Sequence, residues 1–297
     1  MPKFSEETLN NWRKPPSDSE ETKLSNANRL VREAISADPI LNKMTISVFG
    51  QGSYANDTNV KQESDIDINV SYEDAFYYDL PPNRDKSEFG LTGDHPYEYP
   101  EFKNAVEQAL VKHFGRTNVL RRDKCITIKE NNSRVEADVV PTFKYRRYAE
   151  KNNFVQGVKF KSDNNIWIKN FPLQHIENGK TKNSQTQRRF KRLTRLYRRL
   201  RYRMIDDGVP VNSNITSFLL ECLVWNVPND IFNNNDTWTE MLKQSIINLY
   251  NRTKDDATCK EWGEVSELLY LFNNRKWTRA EVNIYLQQLW NYLEFGK

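Results

Sequence analysis

The sequence predicts an α+β protein: a lobe built on a mixed β-sheet with a long N-terminal helix, packed on an α-helical C-terminal lobe. Three observations predict it. Apolar Leu24, Ala27, Val31 and Ala34 recur at spacings of three and four, the period of an amphipathic helix. Residues 45–49, 65–70, 125–129, 134–143, 154–160 and 166–168 then read as strands, two of them with apolar and acidic side chains alternating. From about Thr186 the pattern is helical to the end, broken by polar stretches at 212–214 and 233–236. These features set two lobes, residues 1–170 and 171–297.

In chain order, Ser17 or Asp18 can cap the first helix. After the strand at 45–49, Gly50-Gln51-Gly52-Ser53 makes a tight turn whose small residues let backbone N–H groups approach an anion. Residues 72–100, aromatic and proline-bearing, read as an insertion around a cleft. Residues 101–114 are helical, with Phe102, Val106, Ala109 and Leu110 on one side, and Gly115 ends them. The polar turn Asn131-Asn132-Ser133 joins two strands, and residues 162–165 join the hairpin after them. Phe190, Leu193, Tyr197, Leu200 and Met204 form the buried stripe of a later helix. Lys191, Arg195 and Arg198 lie on its flank, and most of its arginines are expected on a solvated face.

Composition bounds the function. A chain of 297 residues with 37% hydrophobic content can build one large or two moderate cores, so one bilobal unit or two tightly packed lobes are expected. Cys125, Cys222 and Cys259 are odd in number and lack metal-ligand spacing, as expected of reduced thiols in a cytoplasmic protein. No apolar run approaches the roughly 20 residues of a membrane span, and the first residues lack the apolar core of a signal peptide. The net charge of +4 is small, but basic residues crowd into 188–203 and suggest a polyanionic ligand. His95, His113 and His175 have no ligand spacing, and His175 falls in an expected turn. Trp225, Trp262, Trp277 and Trp290 read as core. Tyr145 and Tyr148, in the run KYRRY, suit either base stacking or packing at a strand end.

The chemistry gathers in GQGSYANDTNVKQESDIDINV, residues 50–70. On a strand Asp65 and Asp67 share a face while Ile66, Ile68 and Val70 point the other way. Two carboxylates so close repel each other, and a hard divalent cation such as Mg²⁺ turns the pair into a site. In SRVEADVVP the same alternation sets Asp138, with Glu136, opposite Val135, Ala137 and Val139. Asp138 is thus a third candidate ligand if its strand lies beside the first. Two cations about 3.5–4 Å apart would then clamp an in-line phosphoryl transfer. Asp138 is also a candidate base for the incoming hydroxyl.

The segment GSYANDTNVKQESDIDINV resembles the signature of the polymerase-beta-like nucleotidyltransferases. More closely, the chain is similar to the bacterial cyclic GMP-AMP synthase/DncV-like nucleotidyltransferases of the E clade. The later segments RVEADVVPTFKYRRY, FPLQHIENGKTKN, RRFKRLTRLYRRLR and SFLLECLVWNVPN carry that likeness across most of the chain. The resemblance implies that Gln51, Gly52 and Ser53 hold a triphosphate, and that Asp65, Asp67 and Asp138 hold two Mg²⁺ ions, with Mn²⁺ as a substitute. It also implies that Lys191 grips the triphosphate, and that Ser217 meets a phosphate at a helix start. Arg198 stands where relatives often carry a second lysine, keeping the charge but changing the geometry. Tyr54 and Asn56 are candidates to touch base or ribose, and Asn170 is the candidate for pyrimidine choice, with an ordinary turn asparagine as its rival.

The implied substrates are UTP with ATP, or UTP alone, with GTP open. The implied product, cyclic UMP-AMP or cyclic di-UMP, would diffuse to an effector protein in antiphage defence. Neither a membrane nor an obligatory nucleic acid is expected, and the chain is expected to be a monomer. Two rivals remain at this level: an RNA-end nucleotidyltransferase or linear oligonucleotide synthase, and a non-enzymatic binding module using the basic helix.

Overall fold

A computed structural model describes residues 2–60, 65–92 and 97–296; residues 61–64 of the acidic motif, and His95, lie outside them. The elements run α1 (Glu6–Trp12), α2 (Asp18–Ser36), β1 (Ile46–Gln51), α3 (Gly52–Ala55), β2 (Ile66–Asp79), α4 (Tyr99–Phe114), β3 (Val119–Arg121), β4 (Ile126–Ile128), β5 (Ala137–Glu150), β6 (Asn153–Lys161) and β7 (Trp167–Asn170). Helices follow: α5 (Pro172–Gln185), α6 (Arg189–Asp206), α7 (Ser217–Trp225), α8 (Asn229–Asn233), α9 (Trp238–Arg252) and α10 (Arg279–Tyr292). Among the described residues no helix is long and apolar enough to cross a membrane.

Packing divides the chain into two compact units. One comprises Ser17–Tyr54 and Ser64–Pro172; the other comprises Met1–Pro16, Ala55–Glu63 and Leu173–Lys297. A single break at 170/171 therefore assigns residues 1–16 and 55–63 differently from the packing. The reason is local: Leu9 of α1 sits in the helical core, and Asp57 and Thr58 bond to side chains of α6 and α7.

In the first unit the described strands form one mixed sheet ordered β1-β2-β5-β4-β3, with β6 pairing β5 and β7 pairing β6. The pair β2/β5 is parallel and the other pairs are antiparallel. Alternation decides what each face does. Ile66, Ile68, Val70 and Ala137, Val139 join the core with Leu24, Ala27 and Val31 of α2 and Phe102, Val106 and Leu110 of α4. The expected insertion at 72–100 is corrected, because β2 continues to Asp79. After a register shift between Tyr72 and Phe76 it pairs with Lys144–Arg147 of β5. Aromatic packing sustains the extension: Tyr72 lies 5.3 Å from Phe143, and Tyr77 lies 4.9 Å from Trp167, ring to ring. Tyr145 and Tyr148 are likewise buried within β5, so both belong to strand packing.

In the helical unit α6 is central. The stripe Phe190, Leu193, Tyr197, Leu200 and Met204 is wholly buried, and Trp262 and Trp277 join the same core. The expected solvated face is narrower than its charge suggests: Arg188 and Arg203 are exposed, but most of the other arginines are partly or fully buried. Arg195 and Arg198 are buried, and Arg189 and Arg201 donate to backbone carbonyls of Phe232, Asn235 and Ile215. The turn expected around His175 is also corrected: Pro172 starts α5, where a proline's missing N–H costs nothing.

Candidate active site

Sheet pairing gathers four polar side chains into one row. Gln51 of β1 pairs with Asp67 of β2, Asp67 pairs with Asp138 of β5, and Asp138 pairs with Thr127 of β4. Directly paired residues share a face, so the two carboxylates stand on neighbouring strands about 4.8 Å apart in backbone spacing. Thr127, 3% exposed, donates its hydroxyl to Asp138 Oδ1 at 2.6 Å. Asn69, two residues beyond Asp67, donates to Gln51 Oε1 at 3.2 Å and accepts from Thr142 Oγ1 at 2.8 Å. This polar face is therefore braced from both sides of the acids.

Gly52 leaves the room that Asp67 fills. Its φ is +66°, and a Cβ built there would lie 1.9 Å from Asp67 Oδ2 and 2.9 Å from its Cγ. Only glycine allows both the left-handed backbone and the close carboxylate. Ser53 follows within α3, and its hydroxyl has no hydrogen-bond partner among the described residues. Asp65 lies one residue ahead of β2, where the ladder is extended by Ile66 N–H donating to Glu136 O at 3.0 Å.

The acids feel one another. Burial first, and then the Asp138 and Asp65 carboxylates, push the Glu136 carboxyl up from its ordinary pKa. Burial, then Asp138, push the Cys125 thiol up to about 12. Among the described residues no three His, Cys, Asp or Glu side chains converge closely enough to ligate one ion unaided. What the sheet supplies is an abutting pair, Asp67 and Asp138, with Asp65 and Glu136 at its edge. Oxygen donors crowded to mutual repulsion suit a hard divalent cation.

The helical unit holds the remaining candidates. Lys191, in the first turn of α6, is 9% exposed, and its ammonium makes no hydrogen bond or ion pair among the described residues. Burial lowers its pKa, with the Asp57 and Glu221 carboxylates acting in the other direction. A buried ammonium in that condition is poised for an anion. Arg198 is committed differently: it donates to Glu221 Oε2 at 2.7 Å, both side chains being 3% exposed. Glu221 also accepts from Thr58 Oγ1 at 3.0 Å and meets His175 Nε2 at 3.0 Å. Burial alone would raise the Glu221 pKa, but His175, Arg198 and Thr58 hold it down to about 2. Ser217 begins α7, whose cap is Thr216, accepting from Leu219 N–H. Asn56 is buried, and its Oδ1 has no hydrogen-bond partner among the described residues. Asn170 is the last residue of β7, paired with Val158, and so is no turn asparagine.

Residues 177–294 match the cGAS/DncV-like nucleotidyltransferase C-terminal helical domain. A cyclic dipyrimidine nucleotide synthase CdnE of Cecembia lonarensis is 64% identical over 296 residues, covering 99% of this chain and 100% of its own. The chain is a cGAS/DncV-like nucleotidyltransferase of the CdnE type. As such it is a cyclic dinucleotide synthase. A cyclic dipurine nucleotide synthase of Elizabethkingia meningoseptica is 40% identical over 297 residues, covering 98% of the synthase and 99% of that chain. The structure of the Rhodothermus marinus CdnE c-UMP-AMP synthase with Apcpp and Upnpp matches the synthase with a TM-score of 0.85 at 26% identity, covering 99% and 98% of the two chains.

Thr127 and Glu221 of the synthase escaped sequence reasoning, whereas Thr58, inside the motif of residues 50–70, and His175, expected in a turn, were noticed without their shared partner Glu221. Thr127 left a trace as a polar residue inside the apolar run Ile126-Thr127-Ile128.

Proposed function

We propose that the synthase joins nucleoside triphosphates into a pyrimidine-containing cyclic dinucleotide, cyclic UMP-AMP or cyclic di-UMP, using Asp65, Asp67 and Asp138. The observation that carries the site is the Asp67/Asp138 row, with Gly52 yielding space to one acid and Thr127 holding the other. Asp138 accepts the proton of a ribose hydroxyl as that oxygen attacks the α-phosphate of a second nucleotide. One P–O bond forms, the α–β anhydride bond breaks, and pyrophosphate leaves. A second round on the turned linear product closes the ring. Asp65, Asp67 and Asp138 would hold two Mg²⁺ ions, or Mn²⁺, which when bound supply charge neutralisation for the phosphates.

Gln51, Gly52 and Ser53 are the proposed phosphate ligands of the sheet unit, and Lys191 and Ser217 those of the helical unit. Arg198 acts indirectly in this reading, through Glu221. Asn170 is the proposed contact for pyrimidine choice, and Tyr54 and Asn56 are proposed contacts to base or ribose. Identity of 64% with a cyclic dipyrimidine nucleotide synthase supports the choice of bases, while 40% with a dipurine synthase keeps GTP among the substrates to test. We further propose that the enzyme is a cytoplasmic monomer signalling to an effector in antiphage defence through its diffusible product. An RNA-end transferase finds no support in α6, whose arginines are largely engaged inside the unit.

The test is mass spectrometry of products made from all four labelled nucleotides with Mg²⁺ or Mn²⁺. A phosphatase-resistant, uridine-containing product, abolished in Asp65→Asn and Asp67→Asn, is expected. Purine-only product overturns the base assignment, and full activity of both variants overturns the site. An unchanged product spectrum in Asn170→Ser removes Asn170 from base choice.

A further inference from the structure

We propose that the sheet unit carries a second anion site, separate from the candidate acids and centred on Arg134, which takes the phosphate or carboxylate group of a small molecule. Arg134 follows the Asn131-Asn132-Ser133 turn and is 8% exposed. Its guanidinium lies 5.0 Å over the Phe114 ring at the end of α4, and its Nε donates to Lys129 O at 3.1 Å. No carboxylate lies within ion-pair distance of it among the described residues. Its pKa is lowered by burial, with no acid opposing that shift.

The two Nη groups are the telling atoms. Neither donates to any described residue, and neither is among the atoms sealed from solvent. They therefore reach solvent, and Arg134 lines a cavity of about 470 Å³ together with Leu30, His113, Asn118 and Ser133. That volume lies in the range of small-molecule sites, roughly 300–1,000 Å³.

The wall is held in place before any ligand arrives. Asn131 Oδ1 accepts from Ser133 N, Ser133 Oγ and Arg134 N at 2.9–3.0 Å, and Asn26 Nδ2 of α2 ties Ser133 O at 3.1 Å. His113 stands edge-on to Phe114 with ring centroids 4.7 Å apart, adding an N–H donor at the rim. A planar two-donor fork, fixed at Nε and stacked on an aromatic ring, matches the two oxygens of a carboxylate or phosphate. A guanidinium whose stem is buried and whose fork lacks a counter-charge gains by acquiring one.

The test uses the wild-type synthase and the Arg134 Nε–Hε resonance in ¹H–¹⁵N NMR, titrated with inorganic phosphate and, separately, acetate. Ionic strength is held constant with chloride. A single fork open to water predicts a saturable shift with Kd on the order of 1–10 mM for one of the two anions. The anion giving the tighter Kd identifies the ligand group. Arg134→Lys, which keeps the charge but loses the fork, is followed in the same titration through the backbone amide of Ser133, which both proteins possess, and should weaken that binding about tenfold or more while preserving the rest of the spectrum. If neither anion shifts the signal beyond the chloride control, or if Arg134→Lys binds as tightly as wild type, the site is refuted.

Discussion

Replacing Gly52 by alanine probes the candidate site without touching a charged group. The added Cβ would sit 1.9 Å from Asp67 Oδ2 and 2.9 Å from Cγ, so the carboxylate must retreat by more than about 1 Å to reach ordinary contact. Aspartate is too short to yield by bending, and its Cβ is fixed by the β2/β5 ladder, so rotation about χ1 or χ2 must turn the oxygens away from the Asp138 row. Misplacement by about 1 Å costs on the order of 10²-fold in rate, about 2.7 kcal/mol of barrier. The left-handed φ of +66° adds roughly 1–2 kcal/mol of backbone strain, a loss of stability only. Steady-state conversion of labelled nucleotides should therefore fall about 100-fold in Gly52→Ala, approaching Asp67→Asn. Thermal unfolding, followed by circular dichroism, should shift by only a few degrees. Activity within about threefold of wild type would mean that Asp67's position is not what the turn protects, and the reasoning would fail.

Three further outcomes are expected. Thr127→Val removes the hydroxyl that binds Asp138 and should lower kcat about 10- to 100-fold, with little change in KM, as a lost hydrogen bond to a charged group of about 1.5–3 kcal/mol requires. Arg198→Met leaves Glu221 buried with one cation fewer and should destabilise the protein by about 3–5 kcal/mol in urea unfolding, whereas the double variant with Glu221→Gln should recover part of that loss. Because Glu221's folded pKa, about 2, lies below its unfolded value, its contribution is complete above about pH 4.5 and is lost as pH falls toward 2. Acid unfolding of Glu221→Gln should accordingly be less steep across that window.

The acidic face was legible because period-two alternation depends on the backbone alone. Asp65, Asp67 and Asp138 could be assigned a side from the apolar residues between them, and the β2/β5 pairing then needed only to bring the two strands together. Interactions with partners far away in sequence stayed hidden. Nothing in the local pattern of 172–185 couples His175 to Glu221, and nothing in 188–203 says that its arginines will find carbonyls to satisfy them. Charge density alone favoured a solvated helix, but guanidinium groups bury readily once each N–H meets an acceptor. The strand running on to Asp79 was missed for a related reason: its aromatics pack on Phe143 and Trp167, from a different part of the chain.

The helical unit is drawn from three stretches of chain, and its cations tie them together. Arg195 of α6 donates to Arg13 O and to Asp57, and Glu221 of α7 receives Thr58. Bonds across such separations form late, since the loop entropy must be met before they repay it. On the ribosome the first two stretches must wait for more than a hundred further residues before their partners exist. Until α6 and α7 emerge, Leu9 and Thr58 lack the partners that bury them, and the nascent enzyme carries that exposed surface while its last third is still being made.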